Sequence, residues 1–324
     1  MKCFFLSSLL AVSFFSSAQL QWQKMDSLFG PLPRSVQVYG TKEPVDSAPF
    51  KAYYVIADLK DRNLVFTTDT TQDRRFTPTQ FFERNEKPLL VVNGTFFSFQ
   101  TNRNLNTVIR KGKLLSANLQ AIPGRGKDSL TYRHPFASAI GISKGRKADV
   151  AWLLTDSASK QVFASQRAIS PLQDSVPAHT AAYYRYVTRA VSHGASATLF
   201  QKWKMQTAIG GGPVLLQSGA IQINNNEELK FTGKAIYDKH PRTAMGYTAD
   251  DKLVILVIEG RNKEAAGATL VQTAQILRDL GCVEALNLDG GGSSCLLVNG
   301  KETIQPSDKE GQRAVPAVFL IKKR

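Results

Sequence analysis

The stretch that decides the fold is "LVILVIEGRNKEAAGATLVQTAQILRDLGCVEALNLDGGGSS", residues 253–294. Its first six residues are an unbroken apolar run of strand length. Residues 268–281 then change to helical spacing. Thr269 is placed to cap the helix, Leu270, Val271, Ala274 and Leu277 share one face, and Gly281 ends it. A second apolar run over 284–289 closes on Asp289. Strand, helix and strand in this order predict a βαβ-like crossover whose two strands run parallel and near each other. The ends "IEGR" and "LDGGGSS" would then lie at one edge of the sheet, and Glu259, Arg261 and Asp289 would converge.

Strands dominate elsewhere. "YYVIADL" (53–59) and "NLVFTTD" (63–69) around the turn-like "KDRN" read as a hairpin. "FTPTQFFERNE" (76–86) reads as a short helix opened by Thr77 and Pro78. "PLLVVNGTFF" (88–97) reads as a strand buried on both faces. "RTAMGYTADDKLVILVIEGR" (242–261) gives two strands around "TADDK". The expected class is α+β, a mixed and mainly antiparallel sheet with packed helices and one βαβ-like crossover. Residues 19–48 read as a leader or edge segment, 49–324 as the main domain, and 144–205 as an insertion or helical lid.

The first eighteen residues have a charged start at Lys2, an apolar run from Phe4 to Phe15 and small residues at Ser16-Ser17-Ala18. That is the pattern of a secretory signal peptide, so the mature chain is expected to begin near Gln19 and to be exported, to a periplasm or the exterior. No later segment reaches the length of a membrane helix, so no integral membrane segment is expected after signal removal. The 324 residues carry a formal charge of +15. The basic residues are scattered, with small knots such as "KGRK" (144–147), and are not interleaved with aromatics on one element. This speaks against a nucleic-acid partner and leaves attraction to anionic or phosphorylated glycans. With Cys3 in the leader, only Cys282 and Cys295 remain, and their placement reads as two buried free thiols. That reading supposes a hairpin of 284–289 with 294–298 around the glycines.

A carboxylate at the lip of a buried strand is costly unless it is hydrogen-bonded or functional. After Asp289 come Gly290, Gly291 and Gly292, which let the backbone approach a ligand and aim N–H groups at an anion, and Ser293 and Ser294 add hydroxyls. The bland alternative is a tight turn capped by its Asp. Gly211 and Gly212 in "AIGGGP" (208–213) offer a second glycine nest, without the Lys-Ser/Thr of a P-loop. Arg242 and Arg261 are candidates for holding an anion, since a guanidinium fork matches phosphate oxygens; the alternative is an ion pair with Glu259 or Asp289. Asn93, followed by Gly94 and Thr95, is placed to bind sugar hydroxyls or to hold a carboxylate, or else to form a plain Asn-Gly turn. The four histidines show no metal spacing along the chain, and His240 stands out only for its nearness to Arg242.

Four segments taken together, "VVNGTFF" (91–97), "AIGGGPVLLQSG" (208–219), "HPRTAMGYTADDKLVILVIEGR" (240–261) and "ALNLDGGGSSCLLVNG" (285–300), resemble the phosphodiester glycosidase domain family over roughly residues 50–324. The resemblance implies hydrolysis of a sugar joined through its anomeric carbon to a phosphodiester, of the N-acetylglucosamine-1-phosphodiester kind, with release of free sugar. Carried onto this chain it implies a pocket of Asn93, Arg242, Glu259, Arg261, Asp289 and glycines 290–292. Family members commonly have Asp-Gly-Arg where this chain has Glu259-Gly260-Arg261. The expected catalytic pair is Asp289 with Glu259. Substrate-binding residues are expected at Asn93, Thr95, Arg242, Arg261, Gly211, Gly212, Gly290, Gly291, Gly292 and Ser293. No cofactor is required by this reading, although the two acids could instead hold a divalent cation that grips the phosphate. A non-catalytic module binding anionic or phosphorylated envelope glycans remains the alternative.

Overall fold

The run Leu253–Ile258 is buried on every residue because it is the centre of a sheet covered on both sides. Its alternate side chains divide between two cores. Leu253, Ile255 and Val257 enter the main one, and Val254, Leu256 and Ile258 enter a second against a helix. The computed structural model describes residues 19–180, 182, 183, 186 and 200–324. The signal-peptide reading of 1–18 and half of the tyrosine cluster at 181–186 lie outside the described residues.

Three sheets meet around the main core. The largest has eight strands, in the order 23–24, 36–41, 52–58, 252–258, 242–248, 282–287, 214–217 and 220–221. A seven-stranded sheet centres on 138–143, 148–156 and 205–210, and a five-stranded sheet on 90–93 and 317–323. Val55, Ile255 and Leu286 of the first meet Ile140, Trp152 and Ile209 of the second and Val92 and Phe319 of the third in one apolar cluster. Helix Leu270–Asp279 covers the outer face of the large sheet through Leu270, Ala274 and Leu277. Helix Pro78–Arg84 covers the outer face of the five-stranded sheet through Phe81. Both helices begin with a capping box, Thr77 with Gln80 and Thr269 with Gln272. Among the described residues no helix is long and apolar enough to cross a membrane.

The expected crossover is present. Strands Lys252–Ile258 and Cys282–Asn287 are each antiparallel to Arg242–Thr248, hence parallel to each other with that strand between them. Several expectations change. Val271 lies outside the apolar face, 44% exposed, because the buried arc runs through Leu270, Thr273, Ala274 and Leu277. Residues 53–59 and 63–69 do not form a hairpin. The chain leaves the large sheet after Asp58, and Leu64–Thr70 pairs with Ala317–Lys323 in the five-stranded sheet. The glycines of 290–292 likewise join no hairpin, since Leu296–Val298 pairs with Leu90–Val92 and not with Cys282–Asn287. The leader 19–48 holds strand Val36–Thr41, which pairs along its whole length with Ala52–Ala57 and buries Val36 and Val38. Within 144–205, read as an insertion or helical lid, strands Ala148–Asp156 and Gln161–Ser165 are present and Val150, Trp152 and Leu154 enter the main core, while 187–199 lie outside the described residues. Cys282 and Cys295 are buried free thiols.

Candidate functional site

Asp289 stands where the chain passes from the large sheet to the five-stranded one. Its N–H donates to the Gly94 carbonyl at 3.0 Å, and its own carbonyl accepts from Asn93 Nδ2 at 2.6 Å. The Asn93 side-chain oxygen accepts from Thr243 Oγ1 at 2.8 Å and from the Cys295 N–H at 3.1 Å. Asn93 is wholly buried and ties three segments to the Asp289 main chain. It therefore positions Asp289 and presents nothing to a sugar. Thr95, also buried, donates to Asn104 Oδ1.

The three glycines after Asp289 are bare for a steric reason. A Cβ on Gly290 would lie 2.9 Å from the Pro241 carbonyl, and one on Gly291 3.1 Å from the Arg261 guanidinium. One on Gly292 would overlap the Arg313 guanidinium. The Gly291 N–H donates to Pro241 O at 2.8 Å. These positions are bare because two guanidinium groups and a carbonyl occupy the space of side chains. Ser293 is buried beside Asp289, with Arg313 Nη1 3.5 Å from its hydroxyl. Gly211 and Gly212 are not an anion nest either. Their N–H groups donate to the carbonyls of Ser138 and Asn287, at 3.0 and 2.7 Å. Gly212, at φ +116°, instead makes room for Glu228 and for Lys230 Cε, 2.6 Å from a Cβ placed there.

Arg242, Arg261, Lys230 and Arg313 thus gather at Asp289 and its glycines. Arg242 is buried, gives its Nε and one terminal nitrogen to the carbonyls of Ala268 and Asp238, and lies over the Phe231 ring at 5.7 Å. Burial, aided by the neighbouring Arg261, draws its proton affinity down to about 10. Arg261 is exposed, in the left-handed region at φ +66°, with a terminal nitrogen 3.4 Å from His240 Nδ1. His240 is held below its ordinary pKa by burial, then by Arg242 and Arg261, so its ring is neutral near pH 7. The Lys230 ammonium sits 5.1 Å over Phe96, whose ring meets Phe231 edge-on at 5.9 Å. Burial pushes Lys230 down to about 8, against the pull of Glu228 and Asp289. Glu228 is buried and accepts from Ser138 N and Oγ, Val214 N and Trp152 Nε1. Burial raises its pKa, and Lys230 and these donors oppose the rise.

Asp289 is only partly exposed, and desolvation pushes its carboxyl from 3.8 up to about 7. Ser293, Arg313, the Gly290 amide and Lys230 all pull the other way, so burial wins over four favourable neighbours. Such a group exchanges a proton near neutrality, as an acid–base residue must.

Glu259 is placed differently from the expected pair. It is 2% exposed, forms an ion pair with Lys51 Nζ at 2.7 Å, and accepts from Asn262 Nδ2 at 3.1 Å and the Gln305 N–H at 2.9 Å. Among the described residues it shares no hydrogen bond and no partner with Asp289. Its carboxylate pins the "EGRN" loop and aims Arg261; the rim converges as the topology predicts, but through Arg261 and not through Glu259. The donors already on Glu259 also speak against a cation shared by these two acids. Lys230, Glu228, Arg313, Phe96 and Phe231 were absent from the expected pocket. "NNEELKF" (225–231) and "EGQRAVP" (310–316) carry no local signal beyond polar loops.

A family model described as phosphodiester glycosidase matches residues 86–322, well over half of the chain. Mouse N-acetylglucosamine-1-phosphodiester alpha-N-acetylglucosaminidase is 33% identical over 98 residues, 30% of this chain and 19% of that protein. A SPbeta prophage-derived uncharacterized protein, YomE, of Bacillus subtilis (strain 168) is 41% identical over 70 residues, 22% of this chain and 11% of that protein. The chain therefore spans a minor part of these relatives' length. Among solved structures, the zebrafish N-acetylglucosamine-1-phosphodiester alpha-N-acetylglucosaminidase catalytic domain, auto-inhibited by its pro-peptide, superposes with a TM-score of 0.58 at 20% identity. That superposition covers 95% of this chain and 89% of the zebrafish one, a likeness of fold. A matching family model over most of its length and a shared architecture give one conclusion: this chain belongs to the phosphodiester glycosidase family.

Proposed function

We propose that the protein is an exported hydrolase that cleaves the glycosidic bond of a sugar-1-phosphodiester, of the N-acetylglucosamine-1-phosphodiester kind, and releases free sugar. The observation that carries this reading is a partly buried carboxylate poised near pH 7, Asp289, with Arg313 and Lys230 beside it and Arg261, next to Arg242, against the glycines that follow. A phosphodiester bears one negative charge, and a second develops on its oxygen as the bond to the anomeric carbon breaks. Fixed cations in a poorly solvated site favour that developing charge without reorganising. Because phosphate leaves readily, acid assistance matters less than for an ordinary sugar ether.

Asp289 in its ionised form then takes the proton of the attacking water, whose oxygen bonds to the anomeric carbon as the carbon–oxygen bond to phosphate breaks. A base with a pKa near the working pH suits this step. The partly exposed rings of Phe96 and Phe231 give the apolar face of a sugar something to lie against. Glu259 acts at a distance, by fixing the loop that carries Arg261.

The test is turnover of an N-acetylglucosamine-1-phosphodiester by the purified mature protein, following free sugar, with and without a chelator. The expected result is sugar release unaffected by the chelator and lost in Asp289→Asn. Tight binding of the same compound with no sugar released, unchanged in Asp289→Asn, would instead make the chain a binding module for phosphorylated glycans.

A further inference from the structure

Two histidines that show no metal spacing in the sequence are brought together by folding. Strand Leu172–Asp174 pairs antiparallel with Tyr132–His134, Leu172 opposite His134 and Asp174 opposite Tyr132. Asp174 and His134 are therefore diagonal neighbours on one face of a small three-stranded sheet. The chain then turns back, and His179 reaches the same carboxylate. His134 Nε2 lies 3.2 Å from Asp174 Oδ1 and His179 Nε2 2.6 Å from Asp174 Oδ2. His134 is buried, and Asp174 and His179 are partly buried.

The geometry carries the argument. His134 Nδ1 lies 3.1 Å from the Gln120 carbonyl oxygen, which can only accept, so the ring is oriented with Nε2 towards Asp174. Asp174 is held in turn by the Val176 N–H, which donates to Oδ1 at 2.8 Å, so carboxylate and imidazoles converge on one point from three fixed directions. An imidazole whose second nitrogen is tied to a backbone carbonyl is the usual setting of a metal-ligating histidine. The His179 ring is held in turn by stacking on Tyr183, with centroids 3.9 Å apart.

We propose that His134 Nε2, His179 Nε2 and one Asp174 oxygen form a binding site for a divalent transition metal of the zinc type. Two imidazoles and one carboxylate suit zinc and its neighbours and poorly suit calcium or magnesium, which prefer oxygen alone. The three ligand atoms lie within 4.8 Å of one another. Tetrahedral zinc with bonds of about 2.0–2.1 Å needs them roughly 3.4 Å apart, an adjustment within side-chain reach. Water takes the fourth position. The ion would clip the segment after Asp174 to the strand before Pro135, on residues separate from Asp289 and its ring of cations.

The experiment titrates metal-stripped mature protein with Zn2+ by calorimetry and with Co2+ by visible absorption, in the wild type, Asp174→Asn and His179→Ala. The expected result is one equivalent bound, a Co2+ ligand-field band, and a rise in melting temperature with Zn2+. Affinity should fall at least about a hundredfold in each variant, since even outer-shell partners of metal ligands are worth about 10–100-fold. Absence of saturable binding in the wild type overturns the proposal, leaving a hydrogen-bonded His–Asp–His cluster. Binding equally tight in both variants overturns it as well, by assigning the metal to other residues.

Discussion

Replacing Asp289 by Asn should make the protein more stable and nearly inactive. Folding raises the carboxyl from its ordinary 3.8 to about 7, a shift due first to desolvation. Because the folded pKa lies above the unfolded one, the folded state holds the proton more tightly. Below pH 4 both states are protonated and the group contributes nothing. Between about 4 and 7 the unfolded chain ionises first and stability drains away, and above 7 the penalty is constant. Roughly three units at about 1.4 kcal/mol each set a ceiling near 4 kcal/mol. Arg313 and Lys230 lose an ionised neighbour in the variant, which reduces the net gain to about 1–3 kcal/mol at pH 8. At about 2–4 °C per kcal/mol, the melting temperature should rise by several degrees at pH 8 and hardly at all at pH 4. Turnover should fall by about 10²–10⁴, the usual contribution of a positioned acid–base group. Scanning calorimetry at both pH values, with sugar-release kinetics, decides the matter. A variant less stable at pH 8 would show that the carboxylate is a structural partner of its cations, and unaltered turnover would remove it from the chemistry.

In the wild type, kcat/KM should rise with pH as Asp289 ionises through about 7 and fall as Lys230 loses its proton through about 8, a narrow bell. A decline between pH 6 and 7 would instead require the protonated acid. Arg261→Ala, at an exposed position, should leave the melting temperature unchanged and lower kcat/KM by about 10–100-fold, the worth of a charge-assisted contact to phosphate; unaltered kinetics would place the phosphate elsewhere. Glu259→Gln breaks the pair with Lys51, which is a quarter exposed, and should cost about 2–3 kcal/mol, somewhat less than a fully buried pair, while the folded fraction keeps most of its turnover. Loss of turnover at unchanged stability would restore Glu259 to a catalytic role. Gly212→Ala, at φ +116° and against Lys230, should lose more than about 1 kcal/mol in chemical denaturation; a neutral result would mean that the backbone there relaxes freely.

Local pattern carried the parts of the fold that local physics decides. Thr269 as the helix cap, the apolar run 253–258 and the turn at 249–251 were legible because caps, alternation and turn chemistry act over a few residues. The crossover followed from handedness and strand direction, so the meeting of Arg261 with the glycines after Asp289 was legible too. What was hidden depends on contacts distant in sequence. Nothing in "KDRN" reveals that Leu64–Thr70 prefers Ala317–Lys323, at the far end of the chain, to its neighbour. Glu228 looks like a solvated acid until Ser138, Trp152 and Val214 are folded onto it, and Lys230 follows it inward. Glu259 shows the opposite case. Its position was anticipated, yet the identity of its partner, Lys51, decides whether an acid serves chemistry or architecture.

The main chain of Asp289 is hung between two sheets, by its place after Cys282–Asn287 on one side and by Gly94 and Asn93 on the other. Neither sheet alone fixes the carboxylate. Any loosening of one layer against the other, through a trimmed Phe319 or Ile209 deep in the shared core, will tilt the reactive oxygen before either layer melts. In the proposed reaction the rate would thereby gauge how firmly the layers are clamped, and gentle warming or dilute urea should abolish sugar release while the strands still give a folded spectrum.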